Sequence, residues 1–174
     1  MRRNCFFRSL LGESIYNDWF LPSKDELSEM YTQLHLYGLG NFHINSPYIY
    51  WSSSEEDLWS AYGLNFYSGD LDPWNKDVIF FVRACRAFTS TINYNLRDMG
   101  PAGGWIFWKS GNDYLESAPL DQSISQKWSN IDNIAIGTTG TAIGTGQANT
   151  TAIINQAGHT NSAAKLCDDL VISN

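Results

Sequence analysis

Acidic side chains cluster at Glu55, Glu56 and Asp57, at Asp70 and Asp72, and at Asp168 and Asp169. Oxygen donors of this kind suit hard cations such as calcium, and paired carboxylates are also the equipment of glycoside hydrolysis. Such runs are most often a solvated face, and the carboxylate separation that hydrolysis requires is not written in a sequence. His35, His43 and His159 fall on different predicted elements without HExxH or similar spacing, so they read as solvated or hydrogen-bonded histidines, not a metal triad. Cys5, Cys85 and Cys167 are too few for a disulfide scaffold and lack the paired spacing of a zinc site. Buried thiols, or at most one bridge, are expected. No GxSxG elbow supplies a serine nucleophile, and no cysteine sits in the context of an activated thiolate. The Gly137 to Gly146 stretch lacks the Lys-Ser/Thr and the dinucleotide spacing of phosphate loops and reads as a structural loop. No catalytic residue and no metal ligand is expected, and the chain reads as non-enzymatic.

What remains is an aromatic surface. Tyr48, Tyr50, Trp59, Tyr62, Tyr67 and Trp74 lie in or beside predicted loops, with Ser, Asn and Asp between them. Rigid aromatics with small adaptable polar neighbours are the composition of paratopes. Alternate strand residues point inward, so half or more of the set is expected in the core. Trp59 and Trp74, flanked by charged or polar residues, are the better surface candidates. The candidate ligand-binding residues are Glu56, Asp57, Trp59, Tyr62, Tyr67, Asp72, Trp74 and Asn75.

These residues need a scaffold, and the chain is long enough to build one. Its 174 residues are 43% hydrophobic and only 17% charged, which suits one globular domain and excludes extensive disorder. A net charge of −7 repels a phosphate backbone, so nucleic acid is not an expected partner. No window approaches the roughly 18 to 20 apolar residues of a membrane helix, so a soluble protein without a transmembrane segment is expected. The start, Met1 to Leu11, is not read as a signal peptide, because Arg8 splits the apolar run and no small-residue cleavage site follows.

Ser23 and Glu26 have the spacing of a capping box, which predicts a helix over 24–36 with Leu27, Met30, Tyr31 and Leu34 inward and Gly38 and Gly40 ending it. Tyr48 to Ser54, Ala61 to Phe66 and Val78 to Phe88 read as three strands of an antiparallel meander. Ser68 to Lys76 reads as a loop between them. Further strands are expected at Trp105 to Trp108 and Tyr114 to Ala118, and two short helices at 148–156 and 162–171. The fold class is α+β, an antiparallel sheet with two or three flanking helices.

Several strings together resemble one family: Asp18-Trp19-Phe20-Leu21-Pro22-Ser23-Lys24-Asp25-Glu26-Leu27, Tyr50-Trp51-Ser52-Ser53-Ser54-Glu55, Asn65-Phe66 with Gly69, and Val82 to Phe88. Gly100-Pro101-Ala102-Gly103-Gly104-Trp105-Ile106-Phe107, Leu115 to Pro119, Gly140 to Gly146 and Ala163 to Asp169 match its other half. The chain resembles the Lcl C-terminal domain family, bacterial modules with a C-type-lectin-like fold. The two halves stand in permuted order, because the half containing GPAGG normally comes first. The expected organisation is therefore an N-terminal extension, 1–15, then the second half of the module, 16–98, then its first half, 99–174. The module is expected to be circularly permuted and closed on itself, or strand-swapped with neighbouring copies into a ring or filament.

The resemblance implies an extracellular, cell-surface or virion-displayed binding module of the adhesin type, recognising a surface glycan or a protein receptor and often assembling as a homo-oligomer. Similar C-type-lectin-like domains serve as variable proteins of retroelements, including phage receptor-binding proteins. Diversified positions would then fall between Tyr50 and Phe88. The alternative is a structural subunit of a filament, fibre or tail. Calcium-dependent sugar binding in such folds uses EPN and WND segments. Here Trp74-Asn75-Lys76-Asp77 approximates only the second, so no cofactor is expected, with calcium the one candidate left open. The cysteine pair of the formylglycine-generating relatives is not reproduced.

Overall fold

Helix α1 begins where the Ser23 and Glu26 spacing puts it. The Ser23 hydroxyl accepts from the Glu26 amide at 3.3 Å, and the Glu26 carboxylate accepts from the Ser23 amide at 2.7 Å. The computed structural model describes residues 14–174, so Cys5 and positions 1–13 of the expected extension lie outside the described residues. In chain order the elements are β1 (Ile15–Tyr16), β2 (Trp19–Phe20), α1 (Lys24–Gln33), a 3-10 turn (His35–Tyr37), β3 (Ile49–Glu55), β4 (Ser60–Asn65) and β5 (Leu71–Asn75). There follow β6 (Ile79–Val82), β7 (Cys85–Thr89), β8 (Trp105–Ser110), β9 (Asp113–Ser117), β10 (Ser123–Lys127), α2 (Gly146–Ile154), α3 (Ala163–Asp168) and β11 (Ile172–Ser173).

The single meander is replaced by two sheets and a ribbon. One sheet has the order β10-β6-β3-β4-β5, the other β2-β7-β9-β8, and β1 pairs with β11. Every pairing is antiparallel except β3 with β6. The architecture is α+β, mostly antiparallel with three α-helices.

Two strand expectations are corrected. The apolar run from Val78 to Phe88 is not one strand: it breaks at Arg83 and Ala84, with β6 in the first sheet and β7 in the second. The buried Arg83 side chain holds the crossing by donating to the Gly40 carbonyl at 2.7 Å and the Ala118 carbonyl at 3.1 Å. The Ser68 to Lys76 segment is not all loop, because Leu71–Asn75 forms β5. Pro73 argues against a central strand, but β5 is an edge and the missing N–H costs it no partner there. Strand β10, polar in sequence, had no apolar pattern to announce it.

Adjacent residues of β3 feed two cores, as alternation requires. Trp51, Phe80, Val82 and Trp128 pack with Ile153, Ala163 and Cys167 on one face. Tyr50, Leu64 and Phe81 pack with Leu27, Met30, Phe107 and Leu115 on the other. Segments 16–98 and 99–174 both contribute to each cluster. Each fully buried Phe or Leu contributes about 1.5–3 kcal/mol. Three buried indoles also satisfy their N–H groups, Trp19 on the Tyr16 carbonyl, Trp51 on the Gln126 carbonyl and Trp128 on the Ser52 carbonyl. Ser14 and Asn174 exchange backbone hydrogen bonds of 2.9 and 3.0 Å, extending the β1–β11 ribbon. Residues 14 and 15 are thus paired with residues 173 and 174.

Candidate functional site

The turn between β3 and β4 is built by Asp57. Its Oδ1 accepts from the Trp59 amide at 2.8 Å, the Ser60 amide at 2.7 Å and the Ser60 hydroxyl at 2.7 Å, an Asx-type turn. The Ser60 hydroxyl, followed by the Trp59 amide, holds the Asp57 carboxyl below its usual range. Asp57 therefore shapes the loop, and the loop leaves Trp59 56% exposed. Beneath it the Trp59 carbonyl accepts from the Lys76 amide at 2.9 Å.

The Lys76 ammonium is buried. It donates to Glu55 Oε1 at 2.5 Å and to the Leu58 carbonyl at 3.1 Å, and lies 4.9 Å from the centre of the Trp128 ring. Glu55 in turn accepts from the amides of Ile136 (3.0 Å) and Gly137 (2.8 Å), which ties the segment after Asp132 to β3. Glu55 and Lys76 are thus structural, and neither belongs to a solvated charge cluster. The result is a concavity of about 320 Å³ lined by Trp59, Asn75, Asp77 and Asp132. It offers one indole, one amide that donates and accepts, and two carboxylates that accept. No group of three or more His, Cys, Asp or Glu side chains placed to hold a metal ion occurs among the described residues.

Of the eight candidate residues, Trp59 and Asn75 share this concavity. The others lie elsewhere. Tyr62 donates to Glu56 and carries the Lys24 ammonium 4.1 Å above its ring. Trp74 pairs with Ala61 and not with Tyr62, so Trp74 and Asp72 occupy the opposite face of the sheet, where Trp74 meets Phe80 edge-on at 5.4 Å. Tyr67 sits in the β4–β5 turn beside Tyr48, 5.4 Å between ring centres. Tyr50, named with the surface aromatics, is fully buried. Asp77 and Asp132 were missed. Asp77 follows Asn75 at an interval of two, a signal available in sequence, whereas Asp132 arrives only through the Glu55 clamp.

A second polar cluster also escaped the sequence. The Asp121 carboxylate accepts from Arg83 Nε at 2.6 Å and the Tyr50 hydroxyl at 2.9 Å, and His43 Nδ1 lies 2.6 Å away. Burial, reinforced by the Asp121 charge, pushes the Tyr50 phenol far above its ordinary range. Tyr50 is therefore a fixed donor. His43 stacks on Phe81 at 4.9 Å. His159 meets the Ser162 hydroxyl at 2.9 Å, and His35 stacks on Tyr31, so the three histidines are engaged at separate places.

What the fold defines is an α+β protein of two mostly antiparallel sheets with three helices. No family model, no curated protein and no solved structure matches the chain.

Proposed function

We propose that the chain is a non-enzymatic, extracellular or virion-displayed binding module of C-type-lectin-like plan, related to the Lcl C-terminal domain family, and that it takes an uncharged, hydroxyl-rich glycan at Trp59. The carrying observation is a half-exposed indole held rigidly by the Asp57 turn and the Lys76 amide, beside Asn75, Asp77 and Asp132. A sugar ring presents C–H groups to stack on an indole and hydroxyls to donate to carboxylates, and ligand sites pair an apolar wall with a few convergent polar groups. The acidic lining and the net charge of −7 disfavour sulfated or sialylated glycans.

A glycan array carrying neutral oligosaccharides beside their sulfated counterparts tests this. Binding should be confined to neutral members and lost in Trp59→Ala, with an unchanged unfolding midpoint. Absence of any neutral binder, or equal binding by the variant, refutes the reading.

Self-assembly is the second reading, and one observation favours it. Edge strand β10 leaves Ile124 62% exposed with Ile79 of neighbouring β6 also out, whereas the other edge of that sheet is blunted by Asp72 and Pro73. Light scattering after size exclusion across a concentration series decides it: assemblies that persist on dilution support it, and a monomer at every concentration removes it.

A further inference from the structure

Strand β2 covers only part of β7. Its two residues pair antiparallel, Trp19 with Arg86 and Phe20 with Cys85, so the chain nearest Ala87 to Thr89 is the one arriving from β1. It turns there, with the Trp19 indole N–H donating to the Tyr16 carbonyl at 3.1 Å and Asp18 held on the Arg86 guanidinium. Ala87, Phe88 and Thr89 are paired with β9 on one side, and on the other side have no strand partner among the described residues. On the face of the sheet that carries Ala87, Thr89, Leu115 and Trp108 lies a cavity of about 390 Å³, with Trp108, Leu115 and Ile143 as its apolar walls.

The far wall is preformed. The Gly144 amide donates to Glu26 Oε1 at 2.8 Å, the Ser23 hydroxyl to the Ala142 carbonyl at 3.0 Å, and the Asp25 amide to the Thr141 carbonyl at 3.0 Å. The loop carrying Ile143 is therefore tied to the start of α1 and stands off β7. At one end of the groove Asp113 accepts from the Thr89 hydroxyl at 2.8 Å, and its carboxylate has no ion-pair partner among the described residues. The nearby Lys109 is spent on Asn93 and the Tyr94 carbonyl.

We propose that this edge is a strand-addition site for an extended peptide with an apolar and a basic side chain two positions apart. The peptide backbone pairs with the open side of Ala87 to Thr89, which is how extended segments gain affinity on a free sheet edge. Ala87 and Thr89 point to one face, so a residue opposite Ala87 lays its side chain on that face, beside Ile143 and toward the cavity walled by Leu115 and Trp108. The residue two positions on, opposite Thr89, brings its cation to Asp113. Charge selects the partner: Asp113 is the one charged residue lining the groove, and the chain's net −7 steers a basic segment toward it. This site shares no lining residue with the Trp59 concavity and does not depend on the glycan reading.

The probe is the peptide acetyl-Thr-Lys-Thr-Leu-Thr-Lys-Thr-amide, whose symmetry serves either strand direction, titrated into ¹⁵N-labelled protein. Saturable shifts are expected at the amides of Ala87 to Thr89 and Ile143. Asp113→Lys, at an exposed position, should weaken binding tenfold or more with the unfolding midpoint unchanged. A peptide with Glu for Lys should not bind, and one N-methylated at Leu and at both flanking Thr residues should lose binding because it cannot donate to the ladder in either strand direction. The proposal is overturned if no saturable shift occurs, if the shifts fall on β5 or β10 instead, or if the Glu or N-methylated peptide binds equally.

Discussion

The guanidinium of Arg83 and the carboxylate of Asp121 form a buried ion pair, Nε to Oδ1 at 2.6 Å, with side chains only 1% and 5% exposed. The pair joins the point where the chain passes between the sheets to the segment following β9. Arg83→Met should cost about 3–5 kcal/mol, because it strands Asp121 in the interior. Arg83→Lys should recover only part of this, since an ammonium cannot reproduce the planar fork that also reaches the Gly40 and Ala118 carbonyls. Urea unfolding measures both, and a loss below about 1 kcal/mol for the Met variant would contradict the assignment.

Lys76 and Glu55 should behave in the same way, with a consequence at the candidate site. Lys76→Met leaves Glu55 uncompensated and should destabilise by about 3–5 kcal/mol. In Glu55→Gln, the Ile136 and Gly137 amides lose a charged acceptor, so the segment after Asp132 should become cleavable by limited proteolysis before the sheets are. Cleavage elsewhere first would show that the clamp is not what holds that segment.

Two glycines separate close approach from backbone conformation. A Cβ on Gly104 would stand 1.7 Å from the Ser117 carbonyl oxygen, in a paired part of the second sheet. Gly104→Ala should therefore cost about 3 kcal/mol, the top of the usual overpacking range. Gly111, at φ +59 with open space around it, should lose only about 1–2 kcal/mol on the same change. Equal costs for the two would refute the distinction.

Burial raises the Glu26 carboxyl above its ordinary 4.5, against the amides of Ser23, Gly144 and Gly146 that favour its charge. The folded chain thus holds this proton more tightly than the unfolded chain. The resulting stability is fully present below 4.5 and is lost as pH rises through the folded value. The unfolding midpoint of the wild type relative to Glu26→Gln should rise as pH falls from 7 toward 4.5. A difference that stays constant over that range would show that Glu26 does not titrate above its ordinary value.

Local chemistry was legible in the sequence, and long-range coupling was not. The start of α1 could be read because both halves of its capping box lie within four residues. The break at Arg83 and Ala84 could not, because the apolar run continues through it and its cause is a set of carbonyls supplied by Gly40 and Ala118. Strand β5 was hidden because an exposed edge carries no inward alternation and Pro73 speaks against a strand. At the site, the polar neighbours of Trp59 announced its exposure. Asp132 reaches Trp59 and Asn75 only through amides clamped by a buried carboxylate, and nothing in its own neighbourhood says so.

The pairing of Ser14 with Asn174 sets how the fold would bear a mechanical load. Because β1 and β11 run antiparallel and these two residues lie at the same end, pulling them apart peels the ribbon one hydrogen bond at a time instead of shearing it. The ribbon is then a fuse: tension applied at these points opens a few weak links early, while the two sheets and the Trp59 loop stay unloaded until it has gone.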